Sequence, residues 1–406
     1  MQAYKKRGFW VGLGVFFLVI LSPNPESLSP IGWSVAAVTL LMAIWWATEA
    51  VPVAVTALLP LALFPLLQVT DFKAAALPYA NPNIYLFMGG FILALGIESS
   101  GLHKRLALKM LILVGNSGAK LVGGFMLVSA LISMWVMNTS TTLMLLPIGL
   151  AVCASVAETI PNFSAKQRKN FETSLLLGIA YAASIGGMST LVGTAPNIIF
   201  VGFMQETYGI EISFIDWMKL GVPIASIMLV ASWYTITKFV YPVNFVASME
   251  TKLQLRNMLT DLGPLGRDEK KVLVIFLFAA GAWMFRTLLD NFVPLSGLTD
   301  AGIAILAALS FFFIPSENNK TDLLTWEQAN KLPWGLLVLF GGGLSLAASI
   351  GSSGLGSWIG QGLTVLENVP PIVLILAVAT LIIFLTEITS NVATTSTFLP
   401  VVGAVA

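Results

Sequence analysis

Charge is what this chain has least of. Asp, Glu, Lys and Arg make up 10% of its 406 residues, where soluble domains carry about 25%. A soluble fold of this length would lack the polar side chains to cover its surface, so a soluble enzyme or scaffold is excluded. The 21 basic and 20 acidic residues nearly cancel, leaving a net charge of +1, which excludes a nucleic-acid binder held by a basic face. Cysteine occurs once, as Cys153, so neither a disulfide framework nor a cysteine metal cluster is available. Histidine also occurs once, as His103, which removes paired-histidine zinc motifs and leaves a Ser/His/Asp relay without support. Small-x-small cleavage chemistry is missing too. Ser22-Pro23-Asn24-Pro25 follows the apolar run at 9–21, so that run reads as a membrane helix rather than a leader.

What is abundant is apolar surface: 57% hydrophobic residues and a mean hydropathy of +0.87. At roughly 20 residues per crossing, this is an integral membrane protein of about ten membrane-crossing elements joined by loops. Its fold class is all-α and polytopic.

The basic residues set the expected orientation. They gather at 5–7, at Lys104, Arg105, Lys109 and Lys120, at 166–169, at 252–271, and at Lys320 and Lys331, with Lys238 near the fourth group. The loops at 22–30, 204–216 and 290–298 carry none. A cytoplasmic N-terminus places every group inside and leaves only Lys73, Lys219 and Arg286 elsewhere. Asp290, one helical turn on, is the expected partner of Arg286. The apolar runs then lie at 9–21, 31–48, 52–67, 83–102, 121–157, 174–203, 219–246, 272–289, 299–314, 334–360 and 371–406, with 250–271 as a polar cytoplasmic connector.

Shifted against itself by 253 residues, the sequence repeats. Gly89-Gly90 falls on Gly342-Gly343, Ser99-Ser100-Gly101-Leu102 on Ser352-Ser353-Gly354-Leu355, Asn138 on Asn391, Thr141-Thr142 on Thr394-Thr395, and Leu146-Pro147 on Leu399-Pro400. At a shift of 251, Thr48-Glu49-Ala50 meets Thr299-Asp300-Ala301. The helix of Gly89 runs inward and that of Gly342 outward, so the repeats are expected to be inverted, as in secondary transporters. The expected division is an N-terminal helix in 1–30, a first repeat in 31–249, the connector in 250–271 and a second repeat in 272–406.

Two polar runs interrupt the long apolar stretches: Ser133 to Thr142, and Thr386 to Thr395. Each stretch is long enough for two full spans. It also suits a re-entrant hairpin whose tip, lined by non-helical backbone, sits at mid-membrane depth. A single Thr in such a run commonly bonds a local carbonyl or joins helices. Paired asparagines at symmetric positions point further. Asn, Ser and Thr at a break cap the next half-helix, whose free N–H groups favour an anion, while hydroxyls and unwound carbonyls suit a sodium ion. A third break, Gly186 to Asn197, contains Gly193-Thr194-Ala195-Pro196 in the middle of its apolar run and adds loop carbonyls.

These motifs, with Trp46-Ala47-Thr48-Glu49-Ala50-Val51-Pro52 and Thr56-Ala57-Leu58-Leu59-Pro60, resemble the divalent-anion:sodium symporter family over essentially the whole chain. That family carries dicarboxylates, citrate or sulfate and has a Ser-Asn-Thr motif at each of two opposed hairpin tips. The resemblance implies an inverted-repeat transporter with two re-entrant hairpins and broken helices, a scaffold, and a transport domain moving like an elevator. It also implies a homodimer in the cell membrane. One sodium site would use Ser133, Asn138 and the backbone at Gly193, and a second Thr386 and Asn391. Asn138, Thr139, Thr194 and Asn391 would hold the substrate. Sodium is the coupling ion, with no cofactor and no nucleic-acid partner. Two positions depart from the pattern: Met137 stands in the serine place and Val392 in the threonine place. Sodium-coupled uptake of C4-dicarboxylates is the leading expectation; a sulfate carrier or dicarboxylate exchanger on the same fold comes next, and an anion channel after them.

The counterpart of Gly193 at the 253-residue shift falls beyond Ala406, so a fragment of a longer chain, or a short form, is expected. Glu387 is an intramembrane carboxylate whose repeat counterpart is Met134; a structural hydrogen bond is expected before a proton-coupling role. Glu49 reads as a cap or interface residue, His103 as part of a solvated face, and Cys153 as packing. Gly341, Gly342 and Gly343 read as a close-packing surface.

Overall fold

The computed structural model describes residues 3–113, 117–160, 163–246, 249–289, 297–317, 321–362, 369–387 and 390–405. Among them the regular structure is helical throughout; extended pairing is limited to isolated bridges such as Ser117 with Val246. Among the described residues, five helical segments are long and apolar enough to cross a membrane: Pro30–Thr48, Phe72–Ser99, Asn138–Thr159, Phe214–Val240 and Trp334–Ser352. Shorter apolar helices include Gly118–Ser133, Asp300–Phe313 and Pro371–Thr386. The chain is an all-α polytopic membrane protein.

The long apolar runs are subdivided where the sequence turns polar. Residues 121–157 fall into Gly118–Ser133 and Asn138–Thr159, and 174–203 into Ala165–Gly187 and Ala195–Tyr208. The final run divides into Pro371–Thr386 and Asn391–Val405. Within the polar connector, Met249–Asp261 is a helix, with Leu255 buried in a hydrophobic core. Asp290 and the loop around it lie outside the described residues; Arg286 Nε instead stands 3.1 Å from Asp300 Oδ1.

The chain forms two compact units that each draw on both halves of the sequence. One comprises Met1–Ile84, Ile198–Ile212 and Pro333–Ala406. Its first two helices, Ala3–Leu21 and Pro30–Thr48, run antiparallel, with Gly8 against Thr48 and Gly12 against Trp45. Ser29 caps the second helix by accepting from Gly32 N–H, and Pro30 occupies the first turn, where its missing N–H costs nothing. That helix ends at Glu49 in a left-handed conformation (φ 44°), with its carboxylate 3.0 Å from Lys5 Nζ. In Trp334–Ser352, Gly341 lies against the Tyr79 ring and Gly342 against the Ala57 backbone, while Tyr79 donates to the Ala57 carbonyl. The glycine surface read from the sequence is a packing surface.

The other unit comprises Tyr85–Asn197 and Ser213–Leu332. Both arms of the first interrupted stretch pack on Ala165–Gly187. Gly178 faces Met126, Gly186 faces the Ala130 backbone, and Ser129 Oγ donates to the Ile179 carbonyl at 2.8 Å. Phe125, Leu145, Val152, Phe171 and Leu175 fill the core between them, and Cys153 is buried among them.

One sequence expectation is corrected here. His103 is 3% exposed, with Nδ1 2.9 Å from the Ile97 carbonyl. The tight turn at Gly101 (φ +77°) folds the Leu102–Leu113 helix back, so that its first residues are covered rather than solvated. Burial lowers the His103 imidazole below its ordinary value, and the bond to Ile97 offsets only part of this. Arg105, two residues on, is also buried. It bonds Glu269 at 2.8 Å and the carbonyls of Gly263, Leu262 and Pro264 at 2.7, 3.0 and 3.2 Å.

Candidate functional site

The first break spans residues 134–137, between an arm ending at Ser133 and an arm starting at Asn138. Ser133 is fully buried, and its hydroxyl lies 2.9 Å from Asn138 Oδ1 and 3.3 Å from the Val136 carbonyl. One hydroxyl proton cannot satisfy both, so the shorter contact to Asn138 governs. Thr142 Oγ1 donates to the Asn138 carbonyl at 2.8 Å.

The third break, 188–194, closes against this tip. A Cβ at Gly187 would collide with Asn138 Oδ1, and a Cβ at Gly193 would lie 2.5 Å from the Gly187 carbonyl. Only glycine lets the Gly187 backbone approach the Asn138 amide, and the Gly187 and Gly193 backbones approach each other, this closely. Asn197, 6% exposed, donates from Nδ2 to the carbonyls of Gly187 (2.9 Å) and Thr190 (2.7 Å). Thr190 Oγ1 in turn donates to the Met134 carbonyl, and the Trp217 indole donates to the Met188 carbonyl at 2.9 Å. Ser133, Asn138 and the Gly187–Gly193 backbone are thus brought together. Thr139 is exposed on the first turn of its helix, and Thr194 is half-buried, its carbonyl accepting from Asn197 N–H at 3.2 Å.

The other unit contains the second tip. Thr386 Oγ1 donates to Asn391 Oδ1, and Thr395 Oγ1 donates to the Asn391 carbonyl at 2.8 Å. Ser390 Oγ accepts from Ala393 N–H at 3.1 Å, capping the following helix. Asn391 is exposed and Thr386 half-buried; Glu387 is exposed at the end of the preceding helix.

The same local geometry therefore recurs 253 residues on. Hydroxyl-to-asparagine contacts link 133 with 138 and 386 with 391, and threonine-to-asparagine carbonyl bonds link 142 with 138 and 395 with 391. Gly101 and Gly354 share a left-handed turn (φ +77° and +79°), where an L side chain would be strained. Leu102 N–H to Ser100 Oγ and Leu355 N–H to Ser353 Oγ are both 3.4 Å.

Asn197 and Thr190 carry more of the first tip's order than the sequence alone attributed to them. Their signal was an amide and a hydroxyl flanking a Gly-Pro break. Among the described residues, the side chains that bond across the tips are hydroxyls and amides, with the Glu387 carboxylate beside the second. Such a set coordinates a hard cation or an anion rather than performing bond chemistry.

A polytopic helical membrane protein with paired, oxygen-lined breaks belongs to the transporter class. The chain is a member of the sodium:sulfate symporter family, whose transmembrane-region model matches residues 7–406. It is 40% identical over 404 residues to a sodium-dependent dicarboxylate transporter, SdcS, of Staphylococcus saprophyticus, covering 98% of this chain and 77% of the relative. It is 38% identical over 402 residues to SdcS of Staphylococcus aureus strain USA300, with the same coverage. The protein is a transporter and not an enzyme.

Proposed function

We propose that this protein is a sodium-coupled carrier of divalent organic anions, with C4-dicarboxylates such as succinate or malate as substrates. The observation that carries the reading is the hydroxyl–asparagine contact present at both tips, Ser133–Asn138 and Thr386–Asn391. Each pair puts side-chain oxygens beside the start of a helix, where free N–H groups favour a carboxylate and oxygens favour sodium. The names of the two staphylococcal relatives support the same ion and substrate class.

In this reading Ser133, Asn138 and the Gly193 backbone hold one sodium ion, and Thr386 and Asn391 hold a second. Asn138, Thr139, Thr194 and Asn391 hold the two carboxylates. Met137 contributes only its backbone, and Val392 removes one donor relative to the family pattern. The repeats are inverted across the bilayer, the N-terminus is cytoplasmic, and a homodimer works by elevator-type alternating access in the cell membrane. The family description also names sulfate, which makes sulfate the second substrate to test.

The test is radiolabelled succinate uptake into proteoliposomes, with and without an inward sodium gradient and with unlabelled sulfate as competitor. Sodium-dependent succinate uptake is expected. Uptake indifferent to sodium would make the protein an exchanger. Sodium-dependent uptake of sulfate alone would transfer the reading to inorganic anions.

A further inference from the structure

Trp135 lies inside the first break, between Ser133 and Asn138, where Met134, Val136 and Met137 make up the rest of the turn. The turn backbone is bonded to its own first arm, with Trp135 N–H and Val136 N–H both 3.0 Å from the Ile132 carbonyl. The indole reaches away from that arm into an aromatic cluster. Its ring centroid lies 6.0 Å from Phe214 (17° between planes) and 6.2 Å from Trp283 (14°). Phe276 meets it edge-on at 4.9 Å. Phe214 and Trp283 are themselves stacked at 4.7 Å and 5°, and are 0% and 1% exposed.

This platform is fastened from behind by one residue. Asp300 Oδ2 accepts from Phe214 N–H at 3.0 Å, and the Asp300 carbonyl accepts from the Trp283 indole at 3.0 Å. Arg286 Nε stands 3.1 Å from Asp300 Oδ1. Asp300 therefore anchors both residues of the stack, the Phe214 main chain through its carboxylate and the Trp283 indole through its carbonyl. The rings hold Trp135, and Trp135 is part of the short segment that sets the approach of Ser133 to Asn138.

We propose that Trp135 is a positioning residue for the first sodium site, and that the Phe214–Trp283 platform held by Asp300 determines how tightly that site binds sodium. The proposal rests on the assignment of Ser133 and Asn138 to sodium. A tip of two half-helices has few bonds of its own across the break, so its geometry depends on what its turn leans against. Ring stacking is directional, and it fixes the turn without using a polar group that would compete for the ion.

The test is equilibrium binding of radioactive sodium to the purified protein, which needs no knowledge of the anion, together with the sodium dependence of succinate uptake. Removing an outer support of a metal ligand weakens binding about tenfold or more. Trp135→Leu is therefore expected to raise the sodium half-saturation about tenfold, with the maximal rate at saturating sodium largely kept. Trp135→Phe should restore most of the affinity. Phe214→Leu and Asp300→Ala should reproduce the loss, and Asp300→Asn, which can still accept from Phe214 N–H but gives up the ion pair with Arg286, should lose less. Half-saturation is read on the folded fraction, so reduced yield does not mimic the effect.

A wild-type protein that binds sodium, with Trp135→Leu and Phe214→Leu binding it equally well, would reduce Trp135 to packing and overturn the proposal. A wild-type protein that binds no sodium would overturn the site assignment beneath it. Equal loss in Trp135→Phe and Trp135→Leu would count against stacking as the cause.

Discussion

Ser133 and Asn138 stand five positions apart, on either side of the first helix break, and are joined by a 2.9 Å hydroxyl-to-amide contact. Thr386 and Asn391 make the same contact at the same spacing. A hydroxyl in the last turn of one helix thus orients the amide that opens the next. The contact engages the amide's oxygen as an acceptor, so its N–H donors and the helix N-terminus can serve other partners.

Asn138→Ala and Asn391→Ala are each expected to abolish sodium-dependent uptake while expression and membrane insertion persist. Ser133→Ala should act more mildly, because one hydrogen bond contributes about 1 kcal/mol, roughly fivefold in an equilibrium. Uptake against sodium concentration in proteoliposomes distinguishes the two classes of effect. Undiminished transport in both asparagine variants would remove the tips from the mechanism.

Gly186→Ala and Gly342→Ala test whether close approach, rather than flexibility, accounts for glycine at these positions. An added Cβ would stand 2.5 Å from Ala130 Cα in the first case and 2.7 Å from Ala57 Cα in the second. Backbone cannot yield as a side-chain end can, so overpacking should cost about 1–3 kcal/mol or more. Gly14→Ala has open space around its Cβ and should be neutral or slightly stabilising, since Ala is favoured over Gly in a helix by about 1 kcal/mol. Thermal melting in detergent would rank the three.

Arg105 and Glu269 form a buried ion pair, with 7% and 10% of their side chains exposed. Removing one partner of such a pair costs about 3–5 kcal/mol, because the other charge is left buried without compensation. Glu269→Gln and Arg105→Met should each lower the melting temperature sharply. The Arg105→Met, Glu269→Leu double variant should recover part of the loss.

Two groups give stability a common pH direction. Burial holds the His103 imidazole below its ordinary value of 6.5, so the unfolded chain binds a proton more readily than the folded one. Its contribution is complete above 6.5 and is lost as pH falls toward the lowered folded value. At Glu269 burial acts to raise the carboxyl, but bonds from Arg105 and Gly266 N–H outweigh it and leave the value below 4.5. That contribution is present above 4.5 and is lost as pH falls through the folded value. The melting temperature should therefore decline on acidification in two limbs, and His103→Gln should flatten the upper one.

The breaks were legible in the sequence because polar residues, glycine and proline in a long apolar run leave the backbone few alternatives. Residues 134–137 are apolar but lie between Ser133 and the Asn138–Thr142 polar run, and 188–194 carries its own polar residues and glycine; both interrupt their helices. The 253-residue recurrence was legible for the same reason: similar local sequence yields the same bonds at Asn138 and Asn391, and the same turn at Gly101 and Gly354. His103 was misread because composition around it is basic, whereas its burial depends on how the turn at Gly101 folds the following helix back. Arg105 sits in the same basic run and is equally covered, held by carbonyls from residues more than 150 positions away.

The sequence by itself determined the membrane class, the helical character, the positions of the breaks and the residue types at each tip, since these follow from hydropathy and local backbone preference. The tertiary structure decided which distant groups close each tip. It brought the Gly187–Gly193 backbone to Asn138, and it placed Asp300 behind the rings that hold Trp135. Such contacts join residues far apart in the chain, and they are fixed by packing between helices, which no local pattern encodes.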